Sequence, residues 1–263
     1  MAQKMKISEV MGVYFSPTGH TREIVYHIAE AVETKAKMLD LTSYEMSNRE
    51  YFFEQEELAV IGMPVYGGRI PALAAERLKC LHGENTPAVI FVTYGNRDYD
   101  DALLELKNVV EESEFHVIAA AAIVTEHSIF PTVGQDRPDM RDWDEINKFI
   151  DLVREKVSVH EDEPWNEIVV KGKMPYRKYN GIPLKPKANR DCVKCGFCAR
   201  ECPANAISTE DPSKTDHKKC ISCMRCVTYC PQQARSVNKL MYTIAQHKLE
   251  KACNARRANE FVI

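Results

Sequence analysis

The sequence predicts an α/β fold: a doubly wound, five-stranded parallel sheet, then a small α+β module and a C-terminal helix. Three observations carry this. Over the first 160 residues, apolar runs of strand length alternate with segments of helical period, the pattern of a parallel sheet covered on both faces. Residues 161–189 lose all periodicity and gather prolines. Eight of the ten cysteines then crowd between Cys192 and Cys230 in two runs of identical spacing.

The elements follow in order. Ser8–Phe15 reads as the first strand. Thr21–Glu33 reads as a helix whose stripe is Ile24, Val25, Ile28, Ala29 and Val32. Ala36–Leu41 is a short second strand, and Ser47 with Glu50 has the spacing of a capping box for a short helix. Leu58–Met63 is a third strand, apolar throughout as in a sheet buried on both sides. A helix over Ala72–Leu81, a strand over Ala88–Tyr94, a helix over Asp100–Glu112, a strand over His116–Val124 and a helix over Asp144–Val157 complete residues 1–160. Pro164, Pro175, Pro183 and Pro186 make 161–189 an extended connector across the surface. The cysteine module occupies 190–236. Residues 237–263 read as a helix with Val237, Leu240, Met241, Ile244, Leu249 and Ala252 on one face, docked on the protein itself or, as the alternative, an amphipathic partner or membrane helix.

Cys192, Cys195, Cys198 and Cys202 precede Pro203, and Cys220, Cys223, Cys226 and Cys230 precede Pro231. Each run reads C-x2-C-x2-C-x3-C-P. Thiolates are soft ligands for iron–sulfur clusters or zinc, but structural zinc sites usually separate two C-x2-C pairs by a longer loop. A disulfide framework belongs to secreted chains, and the N-terminus lacks a signal-peptide layout. The two runs resemble bacterial ferredoxins that carry two [4Fe–4S] clusters. In that family the fourth cysteine of each run ligates the other cluster. The resemblance implies one cluster on Cys192, Cys195, Cys198 and Cys230, and another on Cys220, Cys223, Cys226 and Cys202.

The first strand runs into Ser16-Pro17-Thr18-Gly19-His20-Thr21 at a helix start, where hydroxyls and backbone N–H groups form an anion site. The loop holds no Lys or Arg before Arg22, so neutral donors and the helix dipole would hold the anion. This loop resembles the FMN phosphate loop of flavodoxins, [ST]-x-T-G-x-T, at Ser16, Thr18, Gly19 and Thr21; His20 lies within it. The resemblance implies the flavodoxin-like strand order 2-1-3-4-5 and an isoalloxazine held by the loops after the third and fourth strands. Here these are Pro64, Val65, Tyr66 and Gly67, then Tyr94, Gly95, Asn96, Arg97 and Tyr99, at the carboxyl ends of their strands. Tyr66, Tyr94 and Tyr99 are expected to stack on the ring. Asn96 stands where flavodoxins often have an aromatic residue, which implies a more open outer flavin face. His127 and Ser128, after the fifth strand, are either contacts to the flavin or a substrate, or plain loop residues. Cys80 and Cys253 lie outside the runs and read as packing residues. No G-x-G-x-x-G follows a strand, so a built-in dinucleotide site has no support.

The whole resembles a flavodoxin-like domain fused to a two-cluster ferredoxin. It implies an iron–sulfur flavoprotein passing electrons between two [4Fe–4S] clusters and FMN. Its partners would be redox proteins, such as ferredoxin or a low-potential reductase, or a small-molecule acceptor. A non-enzymatic carrier docking to larger redox enzymes stays open beside an FMN-dependent oxidoreductase, and a redox sensor is a third class. A chain cut near Asn189 is expected to keep FMN and lose reduction by one-electron donors. The formal charge is −3, yet residues 189–263 carry 13 Lys+Arg against 7 Asp+Glu. Two oxidised clusters of roughly −2 each would offset that surplus without nucleic acid. Lys194, Arg200, Lys218, Lys219 and Arg225 stand among the ligands and are candidates for the compensating charge. No apolar run reaches membrane-span length, and the chain is expected to be cytoplasmic.

Overall fold

The computed structural model describes residues 7–46, 49–159 and 165–263. Five parallel strands form its centre: β1 (Glu9–Tyr14), β2 (Lys37–Asp40), β3 (Glu57–Pro64), β4 (Thr86–Tyr94) and β5 (Phe115–Val124). Their order is β2-β1-β3-β4-β5, the doubly wound flavodoxin-like order, with a switch point beside β1. Register is tight: Val13 stands beside both Leu39 of β2 and Ile61 of β3. All nine residues of β4 are buried, which explains its unbroken apolar run.

Helices cover both faces. On one side, α1 (His20–Val32) and α4 (Met140–Val159) bury Ile24, Val25, Ile28, Phe149, Ile150 and Val153 against Val10, Leu58, Val60 and Val89. On the other, α2 (Ala72–Leu78) and α3 (Ala102–Glu112) bury Leu78, Leu103, Leu106 and Val110 against Val13, Ile61, Ile90 and Val92. α4 begins four residues before the expected start because Asp139 Oδ1 accepts the Asp142 N–H at 3.2 Å. α2 stops at Leu78, short of the expected Leu81, because Leu81–His82 pairs with Tyr51–Phe52 in a separate two-stranded ribbon. Ser47, the expected helix cap, lies outside the described residues; Tyr44–Met46 form one 3-10 turn.

The tail departs most from expectation. α7 (Lys239–Ala252) is capped by Asn238, whose Oδ1 accepts the Met241 N–H at 3.0 Å. The chain then leaves the helix, and β6 (Glu260–Val262) adds an antiparallel edge to β5, Phe261 beside Ala121. The inward face of α7 is Tyr242, Ala245 and Leu249, packed with Phe130, Val133 and Leu184. Leu240, Met241 and Ile244, expected to dock, are 71%, 40% and 52% exposed. The partners that select the inward face come from distant segments, and local periodicity carries no trace of them.

Residues 165–186 contain no regular element; Ile168 packs on the core, and Tyr179 and Ile182 reach the loops at the carboxyl ends of the strands. Asp101 anchors them: its carboxylate accepts the N–H of Lys173 at 3.1 Å and of Arg177 at 2.7 Å. The two cysteine runs fold as near copies. Short helices α5 (Phe197–Arg200) and α6 (Arg225–Thr228) occupy matching offsets, and left-handed backbone recurs at Lys194 and Ser222, at Gly196 and Met224, and at Asn205 and Gln233. Lys187–Ala188 pairs with Arg235–Ser236 to close the module. Among the described residues no helix is long and apolar enough to cross a membrane.

Candidate functional site

The loop from β1 into α1 is shaped by its hydroxyl residues. Ser16 N–H donates to Thr42 Oγ1 at 2.7 Å, and Ser16 Oγ accepts the Arg22 N–H at 3.0 Å. Gly19 takes φ 104°, a left-handed conformation natural to glycine, and directs the chain into the helix. Glu23 N–H closes the first turn on the Gly19 carbonyl. The amides of His20 and Thr21 are among those that a helix start leaves for an anion. Thr21 is buried and its hydroxyl shares a 2.8 Å hydrogen bond with Thr93 of β4. His20 Nδ1 lies 3.1 Å from the Glu126 carbonyl and donates to it.

These groups open on a cavity of about 450 Å³ at the carboxyl ends of β1, β3, β4 and β5. Ser16, Thr18, His20 and Thr21 line it from the first loop, Pro64, Val65, Tyr66 and Gly67 from the second, and Tyr94, Gly95 and Arg97 from the third. Gly19, Asn96 and Tyr99 do not. Gly19 faces an open hollow with Arg22, Tyr26 and Tyr229. Tyr99 is 1% exposed and its hydroxyl donates to Glu260 Oε2 at 2.5 Å, clasping β6 instead of a ring. Asn96 corrects another expectation: Nδ2 donates to the carbonyls of Cys253 and Ala255, both at 3.0 Å, and Oδ1 accepts the Arg257 N–H at 3.0 Å. It ties the loop to the tail, so its lack of an aromatic ring does not open the cavity. Ala245, Lys248, Leu249 and Ala252 of α7 form an outer wall instead.

His127 and Ser128 do reach the cavity, with Thr125, Glu126, Ile129 and Phe130. His127 Nδ1 accepts the N–H groups of Ile129 at 3.1 Å and Phe130 at 3.2 Å, which puts the ring proton on Nε2. Burial, helped by the nearby Arg97 charge, lowers its pKa to about 4, so the ring is a neutral donor. It lies against Gly95, where an added Cβ would stand 2.5 Å from a ring carbon. Gly67 has the same reason to be glycine: at φ 62° an added Cβ would meet the Tyr179 ring at 2.2 Å. Tyr179 and Ile182 of the connector are cavity residues without a sequence signal, since nothing in a non-periodic stretch says where it crosses.

The structure sorts the eight cysteines by space. Cys192, Cys195, Cys198 and Cys230 surround one small cavity, and Cys202, Cys220, Cys223 and Cys226 another. Backbone N–H groups aim at the sulfurs: Ala206 at Cys202 Sγ and Ala234 at Cys230 Sγ, both 3.3 Å, and Ser222 at Cys220 Sγ, 3.5 Å. Among the described residues no three His, Cys, Asp or Glu side chains converge as a site for one metal ion. Burial raises the Cys198, Cys220 and Cys223 thiols and pushes Cys226 up to about 12. These sulfurs become anionic when metal takes the place of the proton. Cys253 is buried beside Phe130, whereas Cys80 is half-buried at the α2 end.

The second thiol set borders the large cavity. Ile221 and Ser222, between Cys220 and Cys223, are part of its wall. Burial raises the Tyr66 phenol far above its usual range, and the Cys223 thiol, the Tyr179 phenol and the Cys220 thiol add to that rise. Arg77, 1% exposed, donates to the carbonyls of Leu41 at 2.5 Å, Thr42 at 3.0 Å and Pro203 at 2.6 Å, so it rivets the Cys202–Pro203 corner to the sheet. Arg225 donates to the Pro17 carbonyl at 3.2 Å and pairs with Glu201. Its charge is thereby partly spent, and that of Lys194 is shared with Asp211 at 3.3 Å.

Fold and site define the class: the chain joins a flavodoxin-like α/β domain to a 4Fe–4S dicluster domain. Residues 191–234 match the family described as the 4Fe-4S dicluster domain. Among solved structures, the chain is similar to a flavodoxin from the domain Archaea at 14% identity and TM-score 0.37, over 57% of this chain and 98% of that one. It is also similar to an apo NADH:FMN oxidoreductase at 14% identity and TM-score 0.39, over 58% and 91%. A flavodoxin-type, WrbA-like protein from Agrobacterium tumefaciens gives 13% identity and TM-score 0.40, over 57% and 97%. No curated protein sequence matches the chain.

Proposed function

We propose that the chain is an iron–sulfur flavoprotein that couples one-electron donors to a flavin-level acceptor. Cys192, Cys195, Cys198 and Cys230 hold an outer [4Fe–4S] cluster, Cys202, Cys220, Cys223 and Cys226 an inner one, and FMN sits in the large cavity with its phosphate at Ser16–Thr21. One observation carries the reading: Ile221 and Ser222 belong to the inner thiol loop and to the cavity wall at once. Four thiols around each small cavity, with backbone N–H donors on the sulfurs of Cys202, Cys220 and Cys230, suit clusters. When bound, the clusters exchange single electrons and the flavin takes one or two. The protein orients and insulates: Arg77 holds the module against the end of β2, Arg225 holds it against the loop at Pro17, α7 walls the cavity, and His127 presents a neutral Nε2–H.

Anaerobically purified protein is expected to contain about eight iron and eight acid-labile sulfide per chain. Zinc near two per chain without broad visible absorption overturns the cluster assignment. Heat release is expected to yield FMN. Thr21 also supports Thr93, so Thr18→Val is the cleaner probe of the phosphate loop. Losing one hydrogen bond to a charged group costs about 1.5–3 kcal/mol, on the order of a 10- to 100-fold weaker Kd for FMN. Unchanged flavin affinity by fluorescence titration places the phosphate elsewhere.

A second reading, a relay docking to larger redox proteins, draws on the exposed Leu240, Met241 and Ile244 beside the cavity wall. Anaerobic stopped-flow absorbance separates the two. An oxidoreductase reoxidises its flavin with a small-molecule acceptor, whereas a relay does so only with a protein.

A further inference from the structure

Arg235 lies five residues past Cys230, on the two-residue strand that closes the module. It is 2% exposed. One terminal nitrogen donates to the Pro212 carbonyl at 2.7 Å and to Cys198 Sγ at 3.4 Å, and the other donates to Thr215 Oγ1. Its Nε is buried without a hydrogen-bond partner among the described residues, and there it pairs with no carboxylate. Two thiol sets meet at this one side chain. Arg235 lines the cavity of the outer set, while Thr215 lines that of the inner set.

A guanidinium buried without an opposite charge is costly, and a neutral thiol is a weak acceptor. The position becomes favourable once the surrounding sulfurs belong to anionic centres of roughly −2 each. The five cations that sequence marks are poorer candidates. Lys194 and Arg225 are paired with carboxylates, and Arg200, Lys218 and Lys219 are exposed, where solvent screens them.

We propose that Arg235 is the shared counter-charge of both cysteine sites, raising the reduction potential of each centre and letting two like-charged centres stand side by side. This rests on the cluster reading above. Reduction of either centre takes one electron from the reductant and no proton, so its negative charge grows by one. A fixed buried cation favours that gain, and its removal disfavours it.

The test is an EPR-monitored potentiometric titration of the full-length protein with dithionite under anaerobic conditions, with iron and sulfide measured on the same sample. Arg235→Gln is expected to keep its iron and to lower both cluster couples by at least tenfold in the reduction equilibrium, 59 mV for a one-electron couple. Arg235→Lys is expected to recover at least half of that shift. Arg200→Gln, at the exposed rim where Arg200 touches the Cys195 carbonyl, is expected to move neither couple. Full iron content with both couples unmoved overturns the proposal, and a shift confined to one couple overturns the sharing. If Arg235→Gln loses its iron, Arg235→Lys decides. Recovery of iron and potentials supports the counter-charge, and continued loss shows that the guanidinium shape, not its charge, is needed. Absence of iron from the unmodified protein defeats the cluster reading instead.

Discussion

A Cys223→Ser chain is expected to keep its flavin and lose flavin reduction by one-electron protein donors. Cys223 is 9% exposed and lies next to Ile221 and Ser222, the segment shared by the inner thiol set and the large cavity. Serine lacks the soft thiolate that an iron–sulfur centre prefers. Iron is expected to fall from about eight to about four per chain, because the outer set keeps all its cysteines. Dithionite is expected still to bleach the flavin band. Stopped-flow absorbance, following the flavin with a reduced ferredoxin as donor, reads the loss; a rate equal to that of the unmodified protein would falsify a path through the inner site. The truncation near Asn189 is a poorer test than its sequence promised. It also removes α7 from the cavity wall and β6 from the sheet edge, so flavin loss is expected there for reasons unrelated to electron flow.

Asp142→Ala is expected to give the largest loss of stability. Asp142 is fully buried and accepts from Arg137 Nε at 2.8 Å and Nη2, Arg256 Nη2 at 3.0 Å, Asn259 Nδ2 at 2.9 Å and the Asp139 N–H at 2.9 Å. Without it the Arg137 guanidinium, with 5% of its side chain exposed, keeps no carboxylate partner. Breaking a buried pair from one side costs about 3–5 kcal/mol. The damage reaches the site, because Asn259 Oδ1 accepts the Val124 N–H at 2.9 Å and Arg137 donates to the Arg257 carbonyl at 2.7 Å. These bonds hold the tail whose helix walls the cavity. A shift of the denaturant midpoint worth less than about 1 kcal/mol would sink this account, since that is the size of an ordinary surface change.

The same groups set the acid response. Burial pushes Asp142 up, but Arg137, the Asp139 amide and Asn259 hold it below the usual carboxylate range; the Arg256 hydrogen bond does the same for Asp139. A depressed carboxylate stabilises the fold above its unfolded pKa, and that contribution is lost as pH falls below about 4. His127 acts earlier. Its folded pKa lies at about 4 against an ordinary 6.5, so between those values the unfolded chain binds the proton that the fold refuses. Thermal midpoints are expected to decline from about pH 6.5 downward and more steeply below pH 4. A flat profile between 6.5 and 4 excludes the His127 contribution.

What the sequence determined by itself is local or periodic. The parallel strands follow from apolar runs whose both faces are buried, and their positions differ from expectation by one or two residues. The loop from β1 into α1 follows from hydroxyl and glycine residues packed at a helix start, and the cysteine sets follow from spacing. In each case the residues that act are neighbours in the chain, so a short pattern contains the geometry. Only the tertiary structure decided what faces these groups from afar. Asn96 serves the C-terminal tail instead of opening the cavity, Tyr99 clasps β6, and Tyr179 crosses Gly67 from a connector without periodicity. The inward face of α7 is set by Phe130, Val133 and Leu184, and Arg235 stands between the two thiol sets because a two-residue strand carries it there. Long-range closure places these side chains, and the hydrogen bonds and charges they satisfy belong to partners as many as 161 residues away.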